Sequence, residues 1–131
     1  MKKLLNTALL LFAVLMISCT APNAWELVSK DSNVRFALEN KQENGSTMLS
    51  YSVFYKDGVA MEKSLLGLVM DNCEYGKDAQ FVSASAVKDI SNVYQLKSGK
   101  KLNTTDECRE QIFTFRTKED KLFNLIVRVY N

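Results

Sequence analysis

Two adjacent acid pairs, Asp106-Glu107 and Glu119-Asp120, and two cysteines, Cys73 and Cys108, have the widest chemical repertoire in this sequence. Paired carboxylates can divide acid and base duty when one of them is held protonated, which requires burial to raise its pKa. Both pairs stand in polar stretches, DECREQ and KEDK, where the expectation is a solvated turn with every carboxylate ionised. The chain has no histidine. That removes Ser-His-Asp and Cys-His nucleophilic catalysis, imidazole zinc sites and the commonest base at neutral pH. No Gly-rich phosphate loop follows a strand-like run, and no DxDxDG calcium loop occurs. The residues therefore offer no catalytic set and no metal-ligating set within this chain.

The cysteines leave two readings open. In an oxidising compartment Cys73 and Cys108 could form a disulfide, or they could be two separate thiols; both sit in polar, loop-like contexts, DNCEYG and DECREQ, without CxxC or metal-type spacing. Trp25, Tyr51, Tyr55, Tyr75, Tyr94 and Tyr130 could stack on sugar rings, each having a flat apolar face and a polar edge. The competing role is packing within a sheet, where aromatics are favoured in any case.

The elements that would position these residues are strands. NVRFALEN places Val34, Phe36 and Leu38 on one side and Arg35 and Glu39 on the other, the period of two of a half-buried strand. MLSYSVFYKDG repeats the pattern with Leu49, Tyr51, Val53 and Tyr55, and Asn44-Gly45 between the two runs predicts a tight hairpin. Asp57-Gly58 is a second turn signal, followed by VAMEKS and LLGLVMD as shorter segments able to pair antiparallel to what precedes them. Gly67 inside LLGLVM is expected to mark a bulge or a close backbone approach. QFVSASAV, KDISNVYQL, QIFTFRT and LFNLIVRVY complete the series, with SGKK and KEDK as turns. In the last run Phe123, Leu125, Val127 and Val129 form a core face, opposite Leu122, Asn124, Ile126, Arg128 and Tyr130. After the leader, apolar residues at helical spacing are lacking and turn signals recur at sandwich-like intervals. The fold class expected is all-β, an antiparallel β-sandwich.

The first residues belong to a different system. Lys2 and Lys3 precede the apolar run LLNTALLLFAVLMIS, which has the form of a secretory signal over residues 1–18. Met16-Ile17-Ser18-Cys19 is similar to a lipobox, in which the cysteine is acylated and becomes the first mature residue, so Cys19 is the expected lipid attachment and residues 19–24 a short tether. The alternative cut, after Ala24, would find Pro22 where a small residue is wanted. The expected location is the periplasm, with a possible lipid anchor. Removing the leader takes two lysines from the 17 basic residues and leaves them equal to the 15 acids. A neutral domain gives no electrostatic basis for nucleic acid, and Lys97, Lys100 and Lys101 around Gly99 read as a solvated turn.

Four segments in order carry a resemblance. Trp25-Glu26-Leu27-Val28-Ser29, Tyr51-Ser52-Val53-Phe54-Tyr55, Ser64-Leu65-Leu66-Gly67-Leu68 and Arg128-Val129-Tyr130-Asn131 are similar to the opening of glycoside hydrolase family 97. Its patterns there are W-x-(L/V)-x-S, Y-x-V-x-Y, S-x-L-G-L and R-V-Y-N. The resemblance covers nearly all of residues 25–131, with Trp25, Gly67, Arg128, Tyr130 and Asn131 as motif residues, and is weak from Cys73 to Glu110. It implies the N-terminal sandwich region of a periplasmic α-glucosidase or α-galactosidase, part of a galactose-mutarotase-like super-sandwich that packs on a catalytic (β/α)8 barrel. In the family the barrel supplies the catalytic carboxylates and most ligands of a calcium ion. The sandwich adds a calcium-binding glutamate from beyond the matched part, so no catalytic or calcium residue is carried onto this chain and no cofactor is expected in it. Implied partners are the barrel and, through it, an α-linked oligosaccharide. A last strand without a neighbour would also be a template for self-association. A free-standing lipoprotein sandwich that binds carbohydrate or a protein is the competing expectation.

Overall fold

The computed structural model describes residues 23–70, 72–95 and 103–131. The leader, Cys19 and the Lys97–Lys101 turn lie outside the described residues. The rest is built from ten antiparallel strands: β1 (Ala24–Val28), β2 (Val34–Glu43), β3 (Ser46–Tyr55), β4 (Gly58–Leu65), β5 (Leu68–Met70), β6 (Cys73–Tyr75), β7 (Gln80–Ala84), β8 (Lys88–Gln95), β9 (Asn103–Arg116) and β10 (Leu122–Tyr130). No helix among the described residues is long and apolar enough to cross a membrane.

The first sheet has the order β1-β2-β3-β4. Its centre is the hairpin signalled by Asn44-Gly45: both residues hold positive φ, 49° and 86°, and the two strands pair without a break from Val34 opposite Tyr55 to Glu43 opposite Ser46. Two successive positive φ angles match the right-handed twist of the strands that the turn joins. The register puts Phe36, Leu38 and Asn40 on the same face as Val53, Tyr51 and Leu49. That face meets the second sheet, in which β9 is flanked by β10 on one side and by β7 and β8 on the other.

Between the sheets lie Leu27, Leu38, Leu49, Ala79, Phe113, Phe115, Val127 and Val129, all buried, with Trp25, Phe36, Tyr51, Phe81, Phe123 and Leu125 packed around them. Burying a phenylalanine such as Phe113 or Phe115 contributes about 1.5–3 kcal/mol. Trp25 is the hub of the aromatic part, with ring centroids 4.7 Å from Phe81, 5.9 Å from Phe113 and 5.7 Å from Phe115. The two faces of β10 are those the alternation predicts: Val127 and Val129 are buried, while Leu122, Asn124, Ile126, Arg128 and Tyr130 are exposed.

Three expectations are corrected. DECREQ is no loop but the middle of β9, which starts eight residues before the expected QIFTFRT strand. Polar composition does not prevent this, because this half of β9 lies between β8 and β10 and its charges are answered across the strands. Arg109 pairs with its register partner Asp89 at 3.0 Å, and Glu110 with its register partner Arg128 at 2.7 Å. Second, LLGLVMD pairs back on β3 only at its start, with Leu65 opposite Ser50 and the Leu66 amide on the Leu49 carbonyl; from Leu68 onward β5 pairs with β6 instead. Third, Gly67 sits in the break between β4 and β5, and a Cβ there would meet nothing within 4 Å. The close approach belongs to Gly76, with φ of +93° and a virtual Cβ 2.0 Å from the Leu66 carbonyl oxygen.

Candidate functional site

The residues singled out for chemistry do not converge. Asp106 and Glu107 are neighbours on β9 and so point to opposite faces of the sheet. Glu119 and Asp120 do lie in the β9–β10 turn, but with different partners: Glu119 accepts a hydrogen bond from the Cys73 thiol, Sγ to Oε2 3.2 Å, and Asp120 pairs with Arg116. That thiol is the largest cause holding Glu119 below the ordinary carboxylate range, so the group stays ionised rather than acid-competent. Among the described residues no three of Cys, Asp and Glu gather as a metal site would require. The described residues present no set that fits a calcium ion.

Of the two readings left open for them, Cys73 and Cys108 stand in this structure as separate buried thiols. Cys73 touches the β9–β10 turn, whereas Cys108 lies on β9 opposite Tyr130, eight residues before the strand ends at Arg116. Along a strand that separation is about 27 Å, against a Cα reach of about 7 Å for a disulfide. The aromatics divide between core and surface. Trp25 is core, Tyr51 stacks on Phe36 at 6.0 Å and Tyr75 meets Phe123 edge-on at 5.3 Å, while Tyr55, Tyr94 and Tyr130 are exposed on three different strands.

The motif positions, in contrast, are drawn together. Ser29, fully buried at the end of β1, donates its hydroxyl to Asp31 Oδ1 at 2.6 Å and accepts the Val34 amide at 3.0 Å, closing the β1–β2 turn. The Ser29 hydroxyl first, then the Asn33 amide and side chain, hold the Asp31 carboxyl below its usual range. The Asp31 amide then donates to Asn131 Oδ1 at 3.2 Å, and Asn131 Nδ2 reaches Glu107 at 3.5 Å. The first and last motif segments thus meet at one end of the sandwich, with Arg109 Nη1 donating to the Val28 carbonyl beside them at 3.4 Å. Asp31 and Arg109 carry no sequence signal, and Glu107 is marked only as half of an acid pair, because nothing in their local spacing shows that β1 ends against β10. Gly67 lies at the other end, on the wall of an apolar cleft of about 300 Å³ with Leu66, Leu68, Met70, Tyr75, Phe123 and Leu125.

Residues 27–131 match the family described as glycosyl-hydrolase 97 N-terminal. The chain belongs to that family. Solved structures agree on the architecture: a glycoside hydrolase family 97 enzyme from Pseudoalteromonas sp. strain K8, once in complex with panose and once with acarbose, superposes with a TM-score of 0.64 at 18% identity. Each superposition covers 81% of this chain and 15% of the enzyme, so the chain spans only a small part of the length of those enzymes. At that identity the likeness speaks for the fold. Comparison with curated proteins gives no match. For a family 97 N-terminal region the motif geometry has a direct sense: Trp25 anchors the aromatic core, while Ser29 and Asn131 pin β1 to β10.

Proposed function

We propose that this chain is the non-catalytic N-terminal sandwich of a family 97 glycoside hydrolase, which in the intact enzyme supports the barrel and one wall of the site for α-glycoside hydrolysis. The family match over residues 27–131 carries this reading. The scattered carboxylates support it, since a glycosidase needs two carboxyl groups facing one substrate and here the adjacent acids diverge. The barrel and an α-linked oligosaccharide are the partners it implies, with calcium bound by the intact enzyme. The domain is exported and held at a membrane through an acylated Cys19; labelled palmitate should enter the chain and be lost on Cys19→Ala.

The test is a chimera. Residues 25–131 replace the corresponding segment of the Pseudoalteromonas enzyme, and hydrolysis of nitrophenyl α-glucoside and α-galactoside is measured for the chimera and for the isolated chain. Activity in the chimera and none in the isolated chain is expected. Turnover by the isolated chain overturns the reading. The rival role, a carbohydrate-binding lipoprotein, has less support, because Tyr55, Tyr94 and Tyr130 form no common platform; saturable calorimetric heat with malto-oligosaccharides on the chain alone would favour it instead.

A further inference from the structure

The aromatic core has polar atoms inside it. Among the described residues, Trp25 Nε1, Asn40 Oδ1 and Ser50 Oγ are buried side-chain atoms without a hydrogen-bond partner in the protein. An unpaired buried group forfeits its desolvation energy, which is why nearly all such groups in folded proteins are satisfied. Ser50 stands apart: Leu49 and Tyr51 on either side of it face the core, so it faces the other way. Trp25 and Asn40 share the inner face, where Asn40 is only 8% exposed.

The register brings these two together. Trp25 is directly opposite Leu38, and the Asn40 backbone amide donates to the Asn23 carbonyl at 2.8 Å, so Asn40 is the diagonal neighbour of Trp25. Diagonal positions lie about 7–8 Å apart, within reach of an aromatic side chain. The second sheet supplies an independent constraint. The Trp25 ring lies 4.7 Å from that of Phe81, and Asn40 Nδ2 donates to the Ala79 carbonyl at 2.9 Å, so both side chains meet the same stretch, Ala79 to Phe81. One orphan is a donor and the other an acceptor, yet they do not bond to each other. Complementary atoms that share a buried neighbourhood without meeting are what a water molecule joins.

We infer that the inner face holds one structural water between Trp25 and Asn40, accepting the indole N–H and donating to Asn40 Oδ1. Its second hydrogen goes to the Ala79 carbonyl, whose oxygen has a lone pair beyond the one that Asn40 Nδ2 occupies. Three partners are about the usual number for a buried water. The site gives the first motif residue a role that packing does not. Phenylalanine would serve the ring contacts with Phe81, Phe113 and Phe115, whereas an indole also brings a donor. Asn40 then ties three segments: β1 through the water, β2 through its own backbone, and the stretch before β7 through Nδ2. The rival partner for the indole N–H is the face of Phe115, edge-on to Trp25 at 5.7 Å. That contact would leave Asn40 Oδ1 unpaired.

Trp25 is the single tryptophan of the chain, so its indole resonance is unambiguous. In the nitrogen-15-labelled chain the indole proton should give an Overhauser cross-peak to water, with opposite signs in the laboratory and rotating frames, as a held water gives and direct proton exchange does not. Absence of that cross-peak overturns the inference. An upfield-shifted indole proton would then put the N–H on the Phe115 ring, and a scalar coupling from Nε1 to the Asn40 side chain would make the bond direct. Asn40→Leu, which replaces the amide with an apolar group of similar size, should lose the cross-peak and one long-lived water by oxygen-17 relaxation dispersion. An unchanged water count in the folded variant also overturns it. The cross-peak is read on the unaltered chain, so it decides whether or not the variant folds.

Discussion

At the scale of single residues, glycine shows how position outranks type. Gly76 has a left-handed φ of +93°, and a Cβ on it would lie 2.0 Å from the Leu66 carbonyl oxygen and 3.2 Å from its carbon. That carbonyl is backbone, in a segment whose Leu66 amide is bound to the Leu49 carbonyl; it cannot swing away as a side-chain tip could. Gly76→Ala should cost about 3 kcal/mol or more, combining an unfavourable backbone region with a clash. Gly67→Ala, though in the family motif, should change stability by less than about 0.5 kcal/mol; urea melts of the two variants check both. The carboxylates give a second residue-scale expectation. Glu119 is held below its ordinary value of 4.5 first by the Cys73 thiol, and Asp31 below 3.8 first by the Ser29 hydroxyl. A carboxyl whose folded pKa is depressed stabilises the fold above its unfolded pKa, and loses that contribution as pH falls through the folded value. The acid limb below about pH 4.5 should therefore involve both groups. A carbon-detected carboxyl titration should place the Glu119 pKa higher in Cys73→Ala, while Cys73→Ser, which keeps a donor, should hold it low.

At the scale of elements, most of the sandwich is legible because its strands are half-buried and alternate. β2, β3 and β10 are read directly from Val34-Phe36-Leu38, Leu49-Tyr51-Val53 and Phe123-Leu125-Val127, and the hairpin between the first two from Asn44-Gly45. β9 is only half legible. Phe113 and Phe115 mark its buried end, but Asn103 to Glu110 is polar, and what makes it a strand is pairing with β8 and β10, which no local pattern reveals. The segment from Leu66 to Ala79 is illegible for the same reason: it is ordered by long-range backbone bonds, Leu49 amide to Gly76 carbonyl at 2.8 Å and Asp78 amide to Thr47 carbonyl at 2.6 Å. One side chain locks this segment to β2. Asn40, buried on the inner face, donates Nδ2 to the Ala79 carbonyl at 2.9 Å. Asn40→Asp removes that donor and sets a carboxylate against a carbonyl in the core, so it should destabilise by about 2–4 kcal/mol. Asn40→Ala, which only orphans the carbonyl, should cost about 1–3 kcal/mol. The order of the two in thermal or urea melts is the check.

At the scale of the molecule, the two thiols report on opposite ends of the fold and on elements of unequal strength. Cys108 is 3% exposed in the middle of β9, paired on one side with Tyr130 of β10 and on the other with Ile90 of β8. Releasing it requires those ladders to part, which means opening the sheet that holds Phe113 and Phe115. Cys73 is equally hidden, at 1%, but its strand has three residues and pairs with β5, whose Leu68, Val69 and Met70 are all exposed. The ribbon is tied to β3 by backbone bonds just outside its two strands, at Leu66 and Gly76; between those ties little apolar burial opposes its lifting, and the holds there are the Tyr75–Phe123 contact and the thiol's own bond to Glu119. Local opening follows buried contacts, so under native conditions Cys73 should react with a maleimide about tenfold faster than Cys108, each measured in the chain lacking the other of the two and Cys19. A reducing agent should leave the melting temperature unchanged, since no bond joins the two. Equal labelling rates would mean that β5 and β6 open only when the whole sandwich does, making the ribbon part of the central cooperative unit.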